Sequence, residues 1–194
     1  MISKLSTHIV RVLHAKTVIA EEETELYEYG FFVLLTHLIF FCFSLICGVL
    51  LGAALETALF YVAFSLIRVY AGGVHAKTEA ACTGLTAFAI LFSACIIRIL
   101  AEQPNNVITG CMILFGAINI VAFAPLDSPE KPLDSDQKKQ YSCISIVILV
   151  GLVAAAVLAN LLNLHGLESV AAVSLALEGI LLVSGRMQAR QAKR

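Results

Sequence analysis

Tryptophan is absent from this chain, proline occurs four times, and only 14% of the residues are charged. A charged fraction that small, beside a hydrophobic fraction of 59%, excludes an ordinary soluble domain and indicates a membrane protein. Basic excess is missing as well. The formal net charge of -1 offers no concentrated positive surface, which argues against nucleic acid as a partner. The six cysteines (42, 47, 82, 95, 111 and 143) contain no Cys-x-x-Cys pair, so neither a metal centre nor any other cofactor is expected. All but Cys82 and Cys143 fall well inside apolar runs, where cysteine packs as a small hydrophobe, and no disulfide framework is called for. A secretory leader is not expected either, because Lys4, His8 and Arg11 break the first apolar stretch and no cleavage signal follows.

What the chain does have is long apolar runs. A helix needs roughly 20 apolar residues to cross ~30 Å of hydrocarbon, and six runs qualify: 31–51, 57–67 with an interfacial extension, 80–97, 107–123, 142–162 and 170–184. Before them, Ile2, Leu5, Ile9, Val12 and Leu13 recur at three- and four-residue spacing among Lys4, Arg11 and Lys16, the pattern of an amphipathic helix lying on a membrane surface. The five carboxylates Glu21, Glu22, Glu23, Glu25 and Glu28 that follow form a solvated acidic face. The expected fold is all-α and polytopic, a single integral membrane domain over 1–194. It comprises an interfacial segment at 1–28, a transmembrane bundle at 29–187 and a basic tail at 188–194. Pro104-Asn105-Asn106 and residues 160–166 mark tight turns.

Charge placement orients this bundle. If the six runs all cross, twelve of the thirteen Lys and Arg residues fall on one side and only Arg98 near the other. The positive-inside rule makes that side cytoplasmic, with both termini and the connection between spans two and three.

That connection holds an unusual concentration of chemistry: Arg68-Val-Tyr-Ala-Gly72-Gly73-Val-His75-Ala-Lys-Thr78-Glu79-Ala-Ala-Cys82. The glycine pair admits backbone angles closed to other residues and ends a helix, so His75 is expected on non-helical backbone. Thr78 is suited to cap a new helix, with Glu79 in its first position and Cys82 in or just past its first turn. A helix N-terminus and a neighbouring imidazolium both favour thiolate, the nucleophilic form. One unbroken helix from Gly73 to Cys82 would not serve. Seven residues of helix put His75 and Cys82 about 10 Å apart along the axis, with the imidazole tilted away from the thiol.

The stretch resembles the motif of the accessory gene regulator B (AgrB) family of bacterial membrane cysteine endopeptidases, which mature a cyclic quorum-sensing peptide. The likeness covers most of the chain, because a second family-like patch, Ala124-Pro125-Leu126-Asp127 then Glu130-Lys131-Pro132-Leu133, follows two more apolar runs. The resemblance implies that His75 and Cys82 are the catalytic pair. It also implies a precursor peptide with an amphipathic leader and an acidic tail as substrate, a thiolactone or lactone product, and a homodimer in the bacterial cytoplasmic membrane.

Other residues carry two readings each. Arg68 ends span two by snorkelling, or its fork of donors holds a substrate carboxylate or oxyanion. Glu178, an intramembrane carboxylate, needs a partner such as Arg98 or Arg68, or else contacts substrate or helps orient His75. His37 and Glu56 share that ambiguity more weakly. Asp127 belongs to a solvated loop or orients an imidazole, and Lys131, Lys138 and Lys139 solvate the same loop or hold an acidic peptide tail. Gly48 with Gly52, and Gly151 with Ala155 and Ala159, space small residues for close helix packing. The alternative to a peptidase is a small transporter or channel-like protein in which His37, Glu178 and Arg98 form a polar path and Cys82 is incidental.

Overall fold

The computed structural model describes residues 2–15, 23–74, 78–127 and 133–191. Seven helices follow in order: α1 (Ile2–Ala15), α2 (Thr24–Leu51), α3 (Ala54–Ala71), α4 (Glu79–Glu102), α5 (Asn106–Phe123), α6 (Ser135–Leu161) and α7 (His165–Gln191). Six of them, α2 to α7, are long and apolar enough to cross a membrane. The chain is a multi-pass, all-α membrane protein with an additional N-terminal helix. Two compact units are distinguishable, Met1–Phe43 and Ser44–Arg194.

In the first unit α1 is helical over the expected stretch; Leu5 and Val12 of its apolar stripe are exposed beside Lys4 and Arg11, and Ser6 and Val10 are buried. The helix that carries span one begins earlier than its apolar run, at Thr24, so Glu25 sits in its first turn, where a carboxylate suits the helix dipole. Lys16, Glu21 and Glu22 lie outside the described residues.

The second unit is arranged around α7, which packs against α3, α4, α5 and α6. Its most apolar stretch is 67% buried, against 17–33% for the other spans. Composition explains the position. Residues 169–179, Ser-Val-Ala-Ala-Val-Ser-Leu-Ala-Leu-Glu-Gly, are mostly small, and small side chains allow the close helix approach that drives packing in lipid. Gly116 of α5 is an example, since a Cβ there would run into the Leu175 backbone. One core cluster joins Phe60, Phe64, Ile97, Leu100, Val170 and Val173 from α3, α4 and α7. A second joins Ile67, Ala71, Ile120, Leu149, Leu175 and Leu182 from α3, α5, α6 and α7. Large apolar side chains such as Leu50, Val107 and Leu161 point outward, as lipid-facing positions do.

The polar ends of the helices are longer than hydropathy alone implies. Helix α6 begins at Ser135 rather than 142, and Asp134 N–H donates to the Gln137 side chain at 3.1 Å, closing its first turn. Helix α7 begins at His165 rather than 170. Asn105 caps α5, its side-chain oxygen accepting from Val107 and Ile108 N–H at 3.1 Å each. Gly48 lies so close to the start of α3 that a Cβ would come 2.8 Å from the Ala54 Cα, whereas Gly151 faces open space. Small residues therefore serve packing at the first of these positions and not at the second.

Candidate active site

Helix α3 stops at Ala71 because two glycines with positive φ follow it, Gly72 at +76° and Gly73 at +135°. The Gly72 N–H still donates to the Arg68 carbonyl at 3.1 Å; the chain then leaves the helix. Arg68, one turn back, folds over the break. Its Nη1 donates to the Gly72 carbonyl and its Nη2 to the Val74 carbonyl at 2.5 Å. The guanidinium occupies the volume a side chain at 73 would need, and a Cβ at 72 would come 2.5 Å from the Leu126 carbonyl. Both glycines are thus demanded twice, by φ and by space.

The connection between α5 and α6 closes this end of the bundle. Leu126 N–H donates to the Ala71 carbonyl at 2.8 Å, and Gly72 and Leu126 form an isolated parallel bridge. Tyr70 meets Tyr141 edge-on at 5.4 Å, and Arg186 of α7 stacks over the Phe123 ring at 4.3 Å. From the other side, Gly185 of α7 lies under the turn, where a Cβ would come 2.5 Å from Leu126 Cδ2 and 2.9 Å from the Val74 nitrogen.

Helix α4 starts at Glu79 with Thr78 as its N-cap, in extended backbone, its hydroxyl accepting from Ala81 N–H at 3.2 Å. Cys82 is the fourth residue of the helix, and its N–H makes the first intrahelical bond, to the Thr78 carbonyl at 3.0 Å. Helical side chains lean toward the N-terminus, which carries the thiol back over the turn whose N–H groups have no intrahelical acceptor. Cys82 is exposed. Gly72 to Val74 and Thr78 are non-helical, so the described residues contain no continuous helix joining the glycine pair to Cys82. His75 and Lys131 lie outside the described residues, as do Lys77, Glu130 and Pro132.

Glu178 stands at the middle of α7 with no exposed surface, and its Oε1 is 3.9 Å from Arg68 Nη1. Neither of its oxygens has a hydrogen-bond partner among the described residues. Of the two arginines the sequence offers it, Arg68 is the one nearby. Arg98 instead pairs with Glu102 and donates to the Gly52 carbonyl at 3.0 Å. Arg98 and Glu178 therefore do not share one polar path. Asp127 pairs with Lys138 at 2.7 Å and accepts from Leu133 N–H at 3.0 Å. The Lys138 hydrogen bond, followed by that from Leu133, holds its carboxyl below the usual carboxylate range. Lys138 and Lys139 border a shallow concavity on α6 floored by Cys143, Ile146 and Val147. Among the described residues, no three His, Cys, Asp or Glu side chains converge as metal ligands would.

Two features escape a reading of the sequence. One is Gly185, an unremarkable helix glycine until the turn is seen above it. The other is Glu168 at the opposite end of the bundle, which is buried and accepts from Thr109 Oγ1 at 2.7 Å and Asn160 Nδ2 at 3.0 Å, tying α5, α6 and α7 together. The available signal was a carboxylate beside a glycine-containing turn that hydropathy had assigned to a connection.

The family model for accessory gene regulator B matches residues 6–182. Putative AgrB-like protein 2 of Clostridium perfringens (strain 13 / Type A) is 30% identical over 148 residues, covering 72% of this chain and 68% of the relative. Putative AgrB-like protein of C. perfringens (strain SM101 / Type A) gives the same identity and coverage. No solved structure matches. With the glycine turn, the capped helix and the first five spans all inside the matched region, which ends within α7, the chain belongs to the accessory gene regulator B family.

Proposed function

We propose that the protein is a membrane cysteine endopeptidase that removes the C-terminal tail of a quorum-sensing precursor peptide and promotes its cyclisation. Family membership supports a role in processing that class of peptide. The observation that carries the chemistry is the position of Cys82: exposed, one turn into a helix capped by Thr78, and separated from the Arg68-braced glycine turn by only a short segment that contains His75.

In this reading the Cys82 thiolate attacks the carbonyl carbon of the scissile peptide bond. The C–N bond breaks, His75 delivers a proton to the departing amine, and an acyl-enzyme thioester remains. A thiol within the bound peptide then attacks the same carbonyl. Thioester exchange is nearly isoenergetic, so the ring closes as a thiolactone and Cys82 leaves as thiolate; a hydroxyl acceptor would give a lactone. Water must be kept out and the internal thiol held close for exchange to outrun hydrolysis. Arg68 braces the turn through backbone carbonyls, and Asp127 organises the loop through Lys138 and Leu133. The basic residues of this connection and of the start of α6, Lys131 and Lys139, are assigned to an acidic tail on the peptide.

The substrate comes from the cytoplasm, and the charge pattern supports a cytoplasmic site. Arg68, Lys138, Lys139, Arg186 and Arg190 belong to one end of the bundle, Arg98 to the other. The assembly proposed is a homodimer. Co-expression with a short precursor peptide that carries an internal Cys or Ser before an acidic tail, followed by mass spectrometry of the peptide, tests the reading. A product shortened at its C-terminus and lighter by one further water is expected. An intact precursor at normal membrane levels of the protein would refute it.

A further inference from the structure

The floor of the glycine turn is built by a helix that carries none of the motif. Glu178 and Gly185 are seven residues apart on α7; seven steps of about 100° fall only about 20° short of two full turns, so both occupy one face. Leu182, fully buried, lies on the same face between them. At its lower position this face holds a carboxylate with no exposed surface and no hydrogen-bond partner among the described residues, 3.9 Å from Arg68 Nη1. At its upper position it presents a bare backbone to Gly73, Val74 and the Leu126 side chain.

A carboxylate buried in a membrane-spanning helix is costly unless it is paired, and truncating one partner leaves the other charge stranded. Arg68 already directs Nη1 to the Gly72 carbonyl and Nη2 to the Val74 carbonyl. A guanidinium attracted from below and bonded above is fixed in the plane it needs to grip both carbonyls. We infer that Glu178 and Gly185 are positioning residues for the catalytic site: Glu178 anchors Arg68, and Gly185 gives the turn room to lie flat on α7. Together they set the direction in which the chain leaves Val74 toward His75. The inference rests on the peptidase reading and assigns α7 a share in it.

The test uses the full-length chain in native membranes with the five other cysteines changed to serine. Alkylation of Cys82 by N-ethylmaleimide is followed across pH, because the thiolate is the reacting form. His75→Ala is expected to raise the midpoint of the profile by about one unit, roughly a tenfold slower reaction below it. Glu178→Gln and Gly185→Ala are expected to move it the same way, with Glu178→Asp between them and the parent. Gly151→Ala, whose Cβ meets nothing within 4 Å, should leave it in place. In an Arg68→Gln background, Glu178→Gln should add nothing further.

A shifted His75→Ala profile beside parental Glu178→Gln and Gly185→Ala profiles would overturn the inference and leave the peptidase reading standing. An unshifted His75→Ala profile would overturn both. Should Glu178→Gln fail to accumulate, the Arg68→Gln/Glu178→Gln double variant, which buries no lone charge, carries the test. Its accumulation with a raised midpoint supports the assignment. Its accumulation with a parental midpoint, or its own absence from the membrane, would overturn a positioning role.

Discussion

Replacing Gly73 by alanine adds one methyl group at the point where the structure leaves least room for it. The backbone at 73 has φ +135°, where a residue with a Cβ is strained, and the new carbon would come 2.9 Å from Arg68 Cζ and nearer still to Nη1. Either the backbone rotates or the guanidinium leaves. The strain is worth about 1–3 kcal/mol, and each bond from the charged guanidinium to the Gly72 and Val74 carbonyls about 1.5–3 kcal/mol. Taking the low end of the strain and a single lost bond gives about 2.5 kcal/mol, a roughly sixtyfold drop in the population of the native turn. Precursor cleavage should fall by at least about that factor while the membrane level stays near normal, since the core clusters on α7 are untouched. Gly84→Ala is the matched control, because it lies inside α4 with nothing within 4 Å of its Cβ, where alanine favours the helix by about 1 kcal/mol. Cleavage is read by mass spectrometry of co-expressed peptide and protein level by immunoblot. If Gly73→Ala retained more than a third of parental cleavage, the claim that the Arg68-braced turn is the rigid support of the site would be wrong.

Cys82→Ala should abolish cleavage at a normal membrane level, whereas changing the other five cysteines together should leave it detectable; cleavage by Cys82→Ala above a few per cent of parent would end the mechanism. A thiol introduced at Lys138 in a chain lacking other reactive cysteines should resist an impermeant maleimide in intact cells while one at Asn105 reacts, and the reverse pattern would invert the topology. Thr109→Val removes a hydrogen bond to the buried Glu168 carboxylate and should lower stability by about 1.5–3 kcal/mol, seen as earlier thermal aggregation, with the Cys82 alkylation profile unchanged. Because the Asp127 pKa is lowered in the fold, the stabilisation from its Lys138 and Leu133 contacts is present at neutral pH and disappears as pH falls below the ordinary carboxylate value of 3.8 through the lowered one; protection of the Leu133 amide from hydrogen exchange should weaken in that window and be lost in Asp127→Ala at any pH.

The sequence by itself determined the class of this protein, its six spans and the helix ends on either side of the glycine pair, because those depend on local composition. Twenty apolar residues in a row span a bilayer whatever surrounds them. A Gly-Gly pair ends α3, and a threonine followed by an acidic residue starts α4, through effects confined to a few neighbouring backbone groups. Polar helix ends were less legible: the extra turns at 135–141 and 165–169 are helical because of Gln137 and tertiary packing, and hydropathy does not register either. Which partner each intramembrane charge takes was open in the sequence. Arg68 and Arg98 were equal candidates for Glu178 until helix packing placed α3 beside the middle of α7 and turned Arg98 to Glu102 and Gly52. Gly185 illustrates the limit most sharply. Nothing within four residues of it explains why it should be glycine; the reason is the backbone of Gly73 and Val74, more than a hundred positions away in the chain and brought within van der Waals contact only when α7 becomes the centre of the bundle.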